Sequence, residues 1–544
     1  MDAREQGRAD LAAWKEAQPV DLFADDEAFQ ALVDHHELGE HRARFSETGR
    51  IVAGPLHDAA VQNNLGRNLP VLDDWDGIGT FTAAVSHHPA WREAGRLIYG
   101  TGIMGLYGVN PVSHRGILGL FYLTAQAGEA GHNCPLACDA GAIRSLTELG
   151  TSDQQRRYLQ PLLDPDFDTN FTASQFLTEV QGGSDVGANA VTAQAVSGGS
   201  EAGSVWSIQG EKWFCSNADA DVFIMTARPE GAGEGTRGLG LFLVPRIKPD
   251  GTLNHFRIRR LKDKLGTRSM ASGEMDFNGA YAEAVGPVDD GFKSVMQLVI
   301  TTSRLYNAAG CAAHARRAWV IASTYAQHRR AFGGPIGRFA LVQQTLAWMR
   351  ADSAGCLAST LWLAQILESI DAGAVSKTDA AFFRVAVNLN KLATAILAHD
   401  AVNHGIEILG GNGAIESFSM LPRLLRDNVV YENWEGSHNV LRAQVLRDCA
   451  RLGVHEGFFA VLADRLGEAE IEGDRDELNA VLGLDPDLAA LRFRPLAMRM
   501  SVHVMRAAMV GIDALQPHSA LLNRHLDAPD LDAAHLALIG SLQR

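Results

Sequence analysis

Thr178-Glu179-Val180-Gln181-Gly182-Gly183-Ser184-Asp185 and, about 250 residues further on, Tyr431-Glu432-Asn433-Trp434-Glu435-Gly436-Ser437 are the two tracts around which the chain organises itself. The first is a glycine-rich turn after an apolar run. It offers several backbone N–H groups and two hydroxyls close together, a cradle for a polar ring edge or a phosphate. The second sets the carboxyl of Glu435 beside Trp434, and an apolar neighbour raises a carboxyl toward the range of a general base.

Outward from these tracts the pattern changes in blocks, an α+β layout. Residues 1–172 read as an N-terminal helical domain, with Ile117–Leu123 and Ala142–Leu146 in helical surroundings and Ser152 and Asp153 as caps. Residues 173–290 read as a β-domain. Val222–Thr226, Leu239–Val244 and His255–Arg259 are short β-rich runs, and 197–204 and 229–240 are hairpin loops. Residues 291–448 return to helical periodicity, with Val342, Leu346 and Met349 on one face. Residues 449–544 form an extension with an exposed acidic turn at Glu468–Asp474 and helices at Val502–Leu515 and Leu531–Leu542. A chain of 544 residues is too long for one core.

Composition narrows the function. The net charge of −16 disfavours nucleic acid as a partner, because phosphate neutralisation dominates that affinity. Residues 451–544 set nine arginines and no lysine against fourteen acids, although Arg492, Arg494, Arg499 and Arg506 cluster at helical spacing. No run of eighteen uncharged apolar residues predicts a membrane helix. The polar start lacks a secretory pattern, and six scattered cysteines suit buried thiols in a reducing cytoplasm. His36 and His41 are five apart and do not share a helical face, so no metal site is expected there. Gly100–Gly105 and Gly233–Gly238 match a dinucleotide fingerprint only literally, lacking its strand–turn–helix setting.

In their order and spacing the two tracts resemble the acyl-CoA dehydrogenase family of flavoproteins. The similarity covers roughly residues 80–448. His88-Pro89-Ala90-Trp91, Leu261-Lys262-Asp263-Lys264-Leu265-Gly266-Thr267-Arg268-Ser269 and Asn433–Ser437 look like its AidB-like branch in particular, flavoproteins of the alkylation response. The resemblance implies the acyl-CoA dehydrogenase fold: an N-terminal helical domain, a small β-domain and a C-terminal four-helix bundle, here with an extra C-terminal helical segment. It implies FAD, with Leu177, Thr178, Gly183 and Ser184 along the flavin, Phe214 covering the isoalloxazine and Ser216 facing its N5. Arg329 and Phe332 of an R-x-x-F-G tract, and Glu407, Gly410 and Gly411 of a glycine turn, would reach the cofactor of a neighbouring subunit in a homotetramer; Ser437 and Asn439 complete the set. Ala340 and Glu407 stand where relatives often carry Gln.

By the same resemblance Glu435 is the catalytic base that takes the α-proton of an acyl-CoA thioester, while hydride leaves the β-carbon for the flavin. Ser184, Arg304 and Gly436 are the implied substrate contacts; Ser303, at the other base position relatives use, carries no carboxyl. Nitroalkane-oxidising relatives have Asp at the base position, so Glu435 argues against that chemistry. The electron acceptor is an electron-transfer flavoprotein or oxygen. The alternative implied by the AidB-like branch is a flavin-containing DNA-associated protective protein with little dehydrogenase activity.

Overall fold

The computed structural model describes residues 2–527 and 533–542. The chain forms two compact units, and each is built from more than one stretch of sequence.

One unit comprises residues 55–113 and 129–303. It opens with the helix Pro55–Asn63 and an antiparallel hairpin, β1 (Val71–Trp75) and β2 (Phe81–Ser86), inside the block expected to be helical. Alternation in β1 is too short and too exposed to stand out from the helical segments around it. The helices Pro89–Tyr99 and Ala130–Leu149 follow. Next come β3 (Ala173–Phe176), β4 (Thr192–Ser197), β5 (Val205–Ser216), β6 (Val222–Pro229), β7 (Gly240–Pro245), β8 (Phe256–Leu261) and β9 (Ser272–Ala284). Pairing runs β6-β4-β5-β9-β7, and β7 pairs back with β6, so these strands close a ring with β3 and β8 beside it. Trp206 and Ile208, Phe223 and Met225, Met275 and Phe277 alternate into one core. Val222 and Ile224 are buried on the other face of β6, which is why that strand reads as an unbroken apolar run. Each buried ring or branched chain contributes about 1.5–3 kcal/mol.

β3 is fixed by a buried carboxyl. Asp139 accepts the Ala173 N–H and the Tyr99 hydroxyl, the latter at 2.6 Å. Burial pushes the Asp139 carboxyl up to about 8. The helical turn after Leu149 is capped by Thr151 in a capping box with Gln154, rather than by Ser152 or Asp153, which lie inside its first turn.

The other unit comprises the chain up to Gly54, residues 114–128 and the chain from Arg304 onward. Residues of the block 1–172 contribute to both units. Three long helices, Thr301–His328, Ala340–Asp371 and Lys377–Leu409, continue into Leu421–Asn433 and His438–Leu452. Leu346 and Met349 are buried with Val342 packed against the same cluster. Lys377–Leu409 lies in a segment long and apolar enough to cross a membrane, but 78% of its apolar window is buried inside the protein, as in a core helix.

The N-terminal residues join this unit through Gln18 to Thr324 (2.7 Å) and Arg316 to Asp25 (2.7 Å to its carbonyl). The extension also packs on the long helices: Arg524 and His525 both bond Asp352, and Ser501 bonds the Leu389 carbonyl. Glu468–Asp474, expected as a turn, begins the helix Glu468–Leu482; Ile471 and Leu478 bury one face while the acids cover the other. The helix expected at Val502–Leu515 is instead the end of Pro486–Ala508, followed by a turn and a short 3-10 segment at Asp513–Leu515; Ala533–Ser541 is helical, while Leu531 and Asp532 lie outside the described residues. All six cysteines are free and buried.

Candidate active site

One cluster of candidate site residues grows from β3. Where that strand ends, Leu177 and Thr178 enter the glycine-rich loop. Its scaffold is Glu179, 2% exposed, whose carboxylate accepts Lys212 Nζ (2.8 Å), Gln181 Nε2 (2.8 Å) and the Ala190 N–H (2.6 Å). Lys212 also donates to the Leu177 carbonyl (3.3 Å). Burial works against the Glu179 carboxylate, but Lys212 with the Ala190 N–H and Gln181 together hold the group below its usual range. Burial lowers Lys212 as well, with Glu179 opposing. The charged pair is thus a buried pin between the loop and β5. Gly183 lies so close to Thr178 that a Cβ there would stand 2.9 Å from Thr178 Oγ1, so the loop folds back over that hydroxyl. Ser184 is exposed.

Lys212 leads into Trp213 and Phe214. Trp213 N–H donates to the Thr178 carbonyl (3.0 Å), which ties the loop to this strand. Phe214 is 57% exposed, an open ring beside a polar loop. Ser216 is half-buried, and its carbonyl accepts Ser174 Oγ (2.8 Å).

On the other unit, a separate cluster grows from the junction of Leu421–Asn433 with His438–Leu452. Glu435 has φ +55° and Gly436 φ +105°, so the chain turns through two left-handed residues, one of which carries a side chain. Buried cations hold this turn by its carbonyls. Arg304 Nε donates to the Glu435 carbonyl (3.1 Å), and its other nitrogens reach Asn388 Oδ1 and Gln444 Oε1. Lys391 Nζ donates to the carbonyls of Glu432 and Gly436, each at 2.9 Å. Asn307 Nδ2 donates to the Tyr431 carbonyl (3.0 Å). Burial lowers Arg304 to about 10 and Lys391 to about 8, each opposed in part by Glu435.

Arg304 is thus neither a surface nor a helix salt-bridge residue; its guanidinium anchors the Glu435 loop. Ser437 stands at the start of the next helix with no side-chain capping bond, and Asn439 Oδ1 accepts Arg442 Nη1 (3.0 Å).

Arg329, Phe332, Glu407, Gly410 and Gly411 lie on this same unit. Phe332, φ +49° and 89% exposed, tips a small hairpin of Arg330–Ala331 with Gly334–Pro335. Its carbonyl accepts Arg338. Gly410 ends Lys377–Leu409 at φ +61°, and Glu407, Gly410 and Gly411 are exposed.

Lys391 went unassigned in sequence. Its signal is the one charge among Val385–Ala393, where Asn388 and Asn390 are the other polar residues, and in a buried helix that charge demands a partner. Of the arginines clustered at the C-terminus, Arg499 is bonded to Asp474 and Glu477 and Arg506 to Glu470, so half of that patch is neutralised.

Comparison with known proteins settles the family. Residues 174–280 and 289–449 match the middle and C-terminal domains of acyl-CoA dehydrogenases, and 14–169 match the N-terminal domain of adaptive response protein AidB. Acyl-CoA dehydrogenase family member 11 of Caenorhabditis elegans is 30% identical over 434 residues, 78% of this chain and 69% of that protein. The chain belongs to the acyl-CoA dehydrogenase family.

The putative acyl-CoA dehydrogenase AidB of Escherichia coli K12 is 31% identical over 392 residues, 70% of this chain and 69% of its own. The fold is shared with Caenorhabditis elegans ACDH-11 in complex with C11-CoA, at a TM-score of 0.83 and 24% identity, covering 95% of this chain and 93% of that one. The expected fold and the AidB-like assignment both hold. The family is FAD-dependent. The residues present fit a flat, polar-edged ring: an open aromatic at Phe214, a hydroxyl at Thr178 and a glycine at 183 with no room for a side chain toward it.

Proposed function

We propose that this enzyme carries out α,β-dehydrogenation of an acyl-CoA thioester, with Glu435 as the base that removes the α-proton. The observation that carries the reading is the turn at 435–436: a carboxylate residue in a left-handed backbone, its carbonyls gripped by Arg304 and Lys391. A strained conformation kept by two buried cations is a feature of functional positions. It fixes where the carboxylate starts from, and orientation of this kind supplies on the order of 7–11 kcal/mol of rate acceleration at best.

Bound FAD supplies the two-electron acceptor for the hydride that leaves the β-carbon. Thr178, Gly183 and Ser184 would hold its polar edge, Phe214 would shield its face from water, and Ser216 would offer a hydroxyl. Arg329, Phe332, Glu407, Gly410 and Gly411 would serve a neighbouring copy's cofactor, a role that the 89% exposure of Phe332 suits and that makes the working form a homotetramer. The C11-CoA held by ACDH-11 suggests a medium-length acyl chain as the first substrate to try. A DNA-associated role is disfavoured by the acidic extension with its ion-paired arginines.

The test is anaerobic addition of acyl-CoA thioesters of short, medium, long and branched chains. One or more should bleach the oxidised flavin band, and Glu435→Gln should slow that bleaching by at least 1,000-fold, on the order of 4 kcal/mol of barrier. A full panel that leaves the flavin oxidised, or a Gln variant as fast as wild type, defeats the reading.

A further inference from the structure

β5 and β9 pair Lys212 with Met275 and Cys215 with Gly273, so Trp213 and Phe214 together face the single residue Glu274. Successive side chains on a strand point to opposite faces, and a bulge re-aims them. Here the two rings stand edge to face with centroids 6.5 Å apart. One ammonium serves both: Lys262 Nζ lies 3.6 Å from the Trp213 centroid and 4.6 Å from that of Phe214. Only 12% of the Lys262 side chain is exposed.

Glu274, opposite the bulge, holds that ammonium in place by accepting Lys262 Nζ at 2.8 Å. Arg260 shares the same oxygen, also at 2.8 Å. Arg260 first, then Lys262, holds the Glu274 carboxyl well below its usual range. Arg259 also comes within 4.0 Å of Glu274 but is itself paired with Glu211 and Asp276, and the Arg260 side chain is 66% exposed, so the charge that meets the rings is the Lys262 ammonium. Phe214, meanwhile, stays more than half exposed. Neither the base nor the polar-edge residues account for this arrangement.

We propose that Lys262 is a positioning residue that tunes the redox poise of bound FAD through the Trp213–Phe214 pair. The proposal rests on the reading that Phe214 covers the isoalloxazine. A cation over one face of an aromatic ring is attracted by its π density and draws that density toward itself. The surface left for the cofactor is then electron-poor. Two-electron reduction makes the isoalloxazine more electron-rich, so such a surface favours the reduced form over the oxidised one, and a water-poor setting strengthens the effect. The bulge is the device that lets one lysine reach both rings.

The experiment is a redox titration of the flavin in the intact holoprotein against a reference dye, with no acyl-CoA present. At a fixed potential, Lys262→Met should lower the ratio of reduced to oxidised flavin about tenfold, a downward shift of about 30 mV for a two-electron couple. Lys262→Arg keeps the cation and should stay within threefold of wild type. Glu274→Gln removes the neutralising carboxylate and should move the ratio the opposite way, which gives a second reading if the Met variant folds poorly. A purely structural role would lower flavin content or melting temperature without moving the potential of the flavin that remains.

A Lys262→Met potential within threefold of wild type, or a Glu274→Gln shift in the same direction as Lys262→Met, overturns the proposal. If Phe214→Leu leaves both the potential and the bound-flavin spectrum unchanged, it is the placement of Phe214 against the flavin that fails, and the proposal falls with it.

Discussion

Replacing Lys391 by methionine removes the donor that the Glu432 and Gly436 carbonyls share, each at 2.9 Å, while keeping an unbranched chain of similar length. A buried carbonyl left without a donor costs about 1–3 kcal/mol, so two cost about 2–6 kcal/mol. Against this, the wild-type cation is itself unwelcome, because burial lowers its pKa from 10.5 to about 8. At ~1.36 kcal/mol per unit, its removal returns on the order of 3 kcal/mol. Global stability near neutral pH should therefore fall by no more than about 3 kcal/mol.

The local consequence is larger. Glu435 loses half of the grip on its left-handed turn, and displacements near 1 Å cost on the order of 100-fold in rate. Stopped-flow bleaching of the flavin by a saturating acyl-CoA should slow by about that factor in Lys391→Met. The pH dependence has a defined sign. The folded-state pKa lies below the unfolded one, so the penalty is full below about 8 and is relieved as pH rises toward 10.5. Wild type should gain stability over that window relative to the variant, as urea midpoints at pH 7.5 and 10.5 would record. Bleaching within threefold of wild type would refute the positioning argument; a pH-independent stability difference would refute the electrostatic one.

Other consequences are as direct. Glu179→Gln or Lys212→Met should each destabilise by about 3–5 kcal/mol, since either strands a buried charge; the double variant should recover much of the loss, as denaturant melts of all four proteins would show. Asp139, with its pKa raised from 3.8 to about 8, contributes stability that is complete below about 4 and is lost as pH climbs to 8; Asp139→Asn should flatten that loss in urea titrations between pH 4 and 8. Gly183→Ala puts a Cβ 2.9 Å from Thr178 Oγ1, so it should reduce flavin retained after dialysis while shifting the unfolding midpoint of the flavin-free protein by less than about 0.5 kcal/mol.

Much of this architecture was legible because it follows from local periodicity. The strands β6, β7 and β8 and the helices around Ile117 and Leu346 are long enough, or apolar enough, to announce themselves. The site tracts were legible because left-handed turns and close approaches demand glycine, as at Gly183 and Gly436. What escaped depends on partners distant in sequence. The Trp213–Phe214 bulge is a property of register between β5 and β9, and no single strand shows it. Lys391 gains meaning only when the carbonyls 41 and 45 residues away are brought to it. The hairpin β1–β2 is too short and exposed to compete with helical surroundings, and the acids of Glu468–Asp474 look like a turn until Ile471 and Leu478 find something to cover.

The interleaving of the two units bears on how the polypeptide is made. Residues up to Gly54 belong with residues 114–128 and with the chain from Arg304 onward, so on the ribosome the earliest helices emerge about 250 residues before the long helices of their unit exist. At about 5–20 residues per second that is a wait of roughly 12–50 s, during which Phe29 and Phe45, both fully buried in the finished protein, can pack on one another and on the helix His114–Ala125. The segment from 129 to 303 can mature meanwhile. A chain shortened at residue 172 would keep the helix His114–Ala125 but lose the long helix Thr301–His328 that Gln18 and Asp25 bond.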